Sequence, residues 1–200
     1  MNTSFQFSKA NKFKDISSGL KTARFLLIDH VIETKQAIPF EQAVEIVGEE
    51  ALKQLLEKNI VNLNQDNEIF YLYPVSAAPT GHSVKLEDGR QFNTMCAFDS
   101  LGCANTFHMG CEIFSACRDT SEKVYIKLSE QGIETASPET LVVSYLDVVG
   151  KGSCDCCGIM NFFQYEENAR DALKQYENDE NMYLWPLNDA FTAAKMVFDN

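Results

Sequence analysis

Residues 82–107 read HSVKLEDGRQFNTMCAFDSLGCANTF. The Asp88-Gly89 pair marks a hairpin between two strands, and CAFDSLGCANTF is expected to follow as a short helix. Cys96 and Asp99 then stand three apart where a strand gives way to a helix. If the helix starts at Cys96, both side chains share one face and thiol can touch carboxylate. A helix N-terminus favours a thiolate, whereas a neighbouring carboxylate raises the proton affinity of both groups. Such a pair can hold one proton between its members and pass it on. Taken alone, a cysteine and an aspartate in this arrangement are more commonly structural.

C-terminal to this stretch, EIFSACRD and KVYIKLSE are expected as strands joined by a turn near Asp119-Thr120-Ser121. Another strand is expected over Thr140 to Val149, and one more at CCGIMNFF after a glycine-rich loop. Two helices, roughly Glu166 to Tyr176 and Leu187 to Phe198, close the chain. N-terminal to it, residues 1–18 read as a polar arm. Leu20, Ala23, Leu27 and Val31 recur at helical spacing after the capping residues Ser17-Ser18-Gly19. Pro39 opens a second helix that Gly48 ends, and EEALKQLLEKN forms a third with acids in its first turn. Ile60–Leu63 and Ile69–Tyr73 flank a turn at Asn64–Asn67. The expected fold class is α+β. A winged-helix-like N-terminal helical unit (1–79) precedes a mixed β-sheet core with flanking helices (80–200). The breaker-rich Ala77–Gly81 stretch sets the boundary.

An apolar fraction of 45% with 14 Phe and 7 Tyr indicates a packed globular protein. A net charge of −12 argues against a polyanion partner. The third helix, where a winged helix would read DNA, sets Glu49, Glu50 and Glu57 against Lys53 and Lys58. No nucleic-acid partner is expected. No apolar run reaches the roughly 18–20 residues that span a bilayer. The start MNTSFQFSKANKFKD lacks the features of a secretory signal. A cytoplasmic location without a membrane partner is therefore expected.

All seven cysteines, at 96, 103, 111, 117, 154, 156 and 157, fall between positions 96 and 157, and the odd count disfavours a disulfide framework. Gly150-Lys151-Gly152-Ser153-Cys154-Asp155-Cys156-Cys157-Gly158 packs three thiols into four positions, a composition suited to soft metals. A structural zinc or iron–sulfur site would need Cys103 or Cys111 to complete its ligands. Cys117 sits in an apolar strand context and reads as core. His30, His82 and His108 suggest no Cys–His nucleophile, because no acidic partner is evident to orient His108.

Arg90 to Phe163 resembles the catalytic half of the organomercurial (alkylmercury) lyase family. The family's Cys-x-x-Asp segment, roughly WCALDTL, is matched by Met95-Cys96-Ala97-Phe98-Asp99-Ser100-Leu101. A strand-borne cysteine follows in Ile113-Phe114-Ser115-Ala116-Cys117, then a similar stretch from Val124 to Glu134. The second catalytic cysteine of the family precedes a Phe-Phe pair by four intervening residues, the register of Cys157 before Phe162-Phe163. Asn188-Asp189-Ala190-Phe191 is similar to the family's HEAF, and the three helices with a wing also fit its pattern.

The resemblance implies that Cys96 and Cys157 bind mercury while Asp99 takes a thiol proton and delivers it to the leaving carbon. It implies a structural role for Cys117. Cys154 and Cys156 are additional thiols that could join Cys96, Cys157 and Asp99 in holding the metal, and Cys156 could replace Cys157 as the working partner. The expected walls of the site are Met95, Phe98, Phe162 and Phe163. No cofactor is required, because organomercury and Hg(II) are substrate and product. Low-molecular-weight thiols, and a mercuric reductase or metal exporter receiving the product, are the implied partners. The alternatives are a non-catalytic cysteine-rich soft-metal binding protein, a chaperone or sensor, and a metal-responsive winged-helix regulator.

Overall fold

The computed structural model describes residue 13, residues 16–147 and residues 158–198. Three helices lead: α1 (Ser18–Thr34), α2 (Phe40–Val47) and α3 (Glu49–Glu57). Ser17 caps α1 by accepting the Leu20 N–H, and α1 buries Leu20, Ala23, Leu27, Ile28, Val31 and Ile32. Gly48 ends α2 and starts α3 at φ +82°, a conformation that L side chains rarely adopt. Pro39 stands just outside α2, in the two-residue strand β1 (Ile38–Pro39).

The hairpin that follows α3 is β2 (Val61–Leu63) against β3 (Glu68–Leu72). It does not end at the sheet of the N-terminal unit. β3 pairs with β4 (Val75–Ser76), and β4 pairs across the breaker stretch with β6 (Gln91–Thr94). β6 forms the expected hairpin with β5 (Ser83–Leu86), turned at Gly89 with φ +92° and an Asp88 carboxylate accepting the Arg90 N–H. β7 (Cys111–Ala116), β8 (Lys123–Leu128) and β9 (Ile133–Ser137) complete one nine-stranded sheet in the order β1-β3-β4-β6-β5-β7-β8-β9, with β2 beside β3. Every pairing is antiparallel.

Helix α4 (Ala97–Phe107) is buried along its whole length, which a helix must be when it carries almost no charge on any face. It lies among β5, β6, β7 and a second sheet, β11 (Phe162–Phe163)–β10 (Val142–Leu146)–β12 (Met182–Pro186). The C-terminal helix α6 (Leu187–Phe198) packs along it, while α5 (Glu166–Ala172) covers β10 and β11. Phe98 meets Tyr145 at 4.4 Å, and Tyr145 and Tyr183 stack on the fully buried Trp185. Among the described residues no helix is long and apolar enough to cross a membrane.

Candidate active site

Strand β6 ends at Thr94, and Met95 donates its N–H to the Pro74 carbonyl at 3.3 Å. The preceding residue, Tyr73, has its carbonyl clasped by the buried guanidinium of Arg24 from α1 through Nε at 3.1 Å and Nη2 at 2.6 Å. The chain entering α4 is thus braced from the N-terminal helices.

Cys96 takes the N-cap position with extended backbone, and its sulfur accepts the Asp99 N–H at 3.4 Å. Capping turns the thiol inward over the first helical turn, where it lies 2.9 Å from Asp99 Oδ2. The two are 1% and 3% exposed. Charge on both at once would be opposed by desolvation and mutual repulsion. The Ser100 hydroxyl donates to the Cys96 carbonyl at 3.0 Å and lies 2.6 Å from Thr94 Oγ1. This fastens the cap to the strand before it.

The opposite wall is the strap that leads into β11. Ser144 Oγ donates to Ile159 O at 2.5 Å and accepts the Asn161 N–H at 2.9 Å. Between them Met160 accepts the Ala97 N–H through its carbonyl at 3.2 Å and sets Sδ 3.7 Å from Cys96 Sγ. Further along, Phe162 O accepts the Arg118 N–H. Burial opposes ionisation of Asp119, but hydrogen bonds from Asn168, Gln164 and Tyr165 hold its carboxyl below the ordinary range. That anion pins the far end of the strap.

The remaining expected residues divide. Cys154, Cys156 and Cys157 lie outside the described residues. Cys117 falls one residue beyond β7 and is buried. Burial raises its thiol above the ordinary value and raises Cys111 to about 12. Cys103, one turn after Asp99, is also pushed well up by burial and donates to the Asp99 carbonyl. Among the described residues no group of three or more His, Cys, Asp or Glu could hold a metal ion. The other ligands of a zinc or iron–sulfur set completed by Cys103 or Cys111 would be Cys154, Cys156 and Cys157, which lie outside the described residues.

Met95, Phe98 and Phe162 are buried around the site's elements, whereas Phe163 belongs to a separate cluster with Leu146, Met182 and Leu184. His82 Nδ1 lies 2.8 Å from Ser115 Oγ, and burial lowers the pKa of the ring to about 4. Met160 is the residue that sequence reasoning missed. A lone methionine just ahead of the two-residue strand β11 carries no signal of its own, although it follows the cysteine cluster by three positions.

The α+β fold thus buries a cysteine–aspartate pair at the start of a core helix, beside a thioether sulfur. The family model "MerB: Alkylmercury lyase" matches residues 75–199, and the chain belongs to the alkylmercury lyase family. It is 26% identical over 163 residues to an alkylmercury lyase of Staphylococcus epidermidis, covering 79% of this chain and 73% of the relative. It is 25% identical over 151 residues to one of Bacillus cereus, covering 74% and 67%. A solved structure described as the mercury-bound form of MerB2 superposes with a TM-score of 0.67 over 91% of this chain and 98% of the other; at 17% identity it shows the shared fold.

Proposed function

We propose that this protein cleaves the carbon–mercury bond of an organomercurial by protonolysis, with Cys96 and Cys157 as the thiols and Asp99 as the proton carrier. The observation that carries the reading is the buried 2.9 Å contact between Cys96 Sγ and Asp99 Oδ2. Mercury arrives as R–Hg–SR′. Cys96 sulfur bonds the metal, R′S⁻ departs, and the Cys96 proton leaves on it as R′SH. The second thiol then bonds mercury and gives its proton to the Asp99 carboxylate. Two thiolates on one soft ion push electron density onto the carbon. Asp99 protonates that carbon, which leaves as R–H, and Hg(II) remains on two sulfurs. Two thiol protons enter the sequence, one leaving in R–H and one in R′SH. Two external thiols then exchange Hg(II) off the protein and restore both cysteines.

Cys157 is proposed as the second thiol from its register with the family's Phe-Phe landmark and from its place in the chain. It stands three positions before Met160, and three residues of chain reach at most about 11 Å. Cys156 and Cys154 are proposed as auxiliary metal ligands. No organic cofactor has a step in this scheme. A mercuric reductase or a metal exporter is the proposed acceptor of the product. The proposed division at residues 79 and 80 falls inside one continuous sheet, and the Arg24 clasp on Tyr73 supports a bracing role for the N-terminal unit.

The test is headspace methane from the purified protein with methylmercury and excess thiol, for wild type and Asp99→Ala. Wild type should release methane stoichiometrically, and Asp99→Ala should lose about 10²- to 10⁴-fold in rate, the usual contribution of a positioned proton donor. Tight mercury binding without gas from the wild type would instead establish a non-catalytic soft-metal binder.

A further inference from the structure

We infer that Met160 is a third sulfur donor to the soft metal held on Cys96, and so helps to select the metal and to hold the organometal before the second thiol engages. This rests on the reading of Cys96 as a metal-binding thiol.

The geometry comes from two sulfurs and the strap that holds one of them. Met160 Sδ lies 3.7 Å from Cys96 Sγ. Two metal–sulfur bonds of about 2.3 Å, the length found for zinc thiolates and a lower bound for the larger mercury ion, that end on atoms 3.7 Å apart enclose an angle of at most about 107°. One ion can therefore bond both sulfurs without moving either residue. Asp99 Oδ2 approaches Cys96 Sγ as well, at 2.9 Å, so the carboxyl group and the thioether share the same sulfur.

A methionine is ordinarily a flexible filler whose sulfur wanders. Here the backbone around it is fixed at three successive residues. The Ile159 carbonyl and the Asn161 N–H are both held by Ser144 Oγ, and the Met160 carbonyl accepts from Ala97, the first residue of α4. The last of these bonds ties the thioether directly to the helix that Cys96 caps. The side chain is 6% exposed, so water does not compete for its lone pair.

A thioether suits this position chemically. It is soft, so it discriminates against hard cations. It is neutral and has no proton to lose, so it leaves the proton balance of the Cys96–Asp99 pair untouched. When R–Hg⁺ bonds Cys96, a lone pair from Met160 raises the coordination of mercury and adds electron density to it. No bond of Met160 breaks.

The experiment uses full-length protein carrying [methyl-¹³C]methionine, in which Met160→Leu identifies the resonance among the six methionines. One equivalent of mercuric ion should move the Met160 methyl resonance selectively. Met160→Leu preserves shape and removes the donor, so it should release bound mercury to a competing thiol on the order of 10-fold faster, as expected when a supporting ligand is lost. An unmoved Met160 resonance in a protein that binds mercury, with unchanged release from Met160→Leu, would overturn the inference. Methane release by the wild type is scored separately. Methane with an unmoved methyl leaves the lyase reading intact and removes Met160 from it. A shifted methyl without methane keeps the donor and removes the catalysis. Neither signal overturns both.

Discussion

Gly102→Ala is a direct test of how the C-terminal helix is seated on the helix that bears the site. Gly102 lies in the middle of α4, where glycine costs about 1 kcal/mol relative to alanine. A β-carbon at this position would come within 2.2 Å of Phe198 Cδ2, 2.5 Å of Cγ and 2.7 Å of Cε2. To restore ordinary contact at 3.4 Å the ring must retreat by about 1.2 Å. Retreat of the Phe198 ring would disturb its packing on Phe13 at 5.7 Å and on Phe98 at 6.3 Å. Overpacking of this kind costs about 1–3 kcal/mol. Less the gain of about 1 kcal/mol in helix propensity, a net loss of about 0–2 kcal/mol remains. For a chain of this size that lowers Tm by up to roughly 8 °C. The assay is thermal and urea denaturation of Gly102→Ala beside Gly81→Ala, whose added β-carbon meets nothing within 4 Å and which should stay within about 0.5 kcal/mol of wild type. Gly102→Ala/Phe198→Leu should recover part of the loss. A Gly102→Ala protein more stable than wild type would refute the packing argument.

Ser100→Ala leaves the buried Thr94 hydroxyl without its 2.6 Å partner and should cost about 1–3 kcal/mol in urea denaturation. Adding Thr94→Val should restore most of it, and strict additivity of the two changes would show that the pair is not coupled. His82 is held neutral by burial, with a folded pKa of about 4 against the ordinary 6.5. As pH falls below 6.5 the unfolded chain takes up a proton that the folded one refuses. Stability should therefore be full above pH 6.5 and decline toward pH 4, and His82→Gln should flatten that slope in urea midpoints measured at pH 7 and pH 5. Cys103 and Cys111, buried and shifted upward, should resist iodoacetamide at pH 8 in the native protein and react once it is unfolded. Rapid native labelling of either, read by peptide mass, would contradict their place in the core.

Where an interaction is local, the chain announces it. The i, i+3 spacing of Cys96 and Asp99 becomes a contact because a helix turn brings those positions together whatever surrounds it. Asp88-Gly89 turns a hairpin because glycine tolerates positive φ, and Leu187 to Phe198 is helical as its spacing indicates. The strands that escaped the reading are those whose neighbours supply the missing pattern. β9 is a largely exposed edge strand with little alternation, β12 is buried at four of its five residues and so has none, and β4 is two residues long.

Tertiary structure alone decided three things. It joined the N-terminal hairpin to the following strands through Val75 and Thr94, nineteen positions apart in the chain. It closed Phe198 over Gly102. It brought Met160 against Cys96 across sixty-four positions. Pairings of that range depend on the packing of the whole core, which no short window of sequence encodes. Side-chain identity set which chemistry was available, and the fold set which sulfur stands beside which proton.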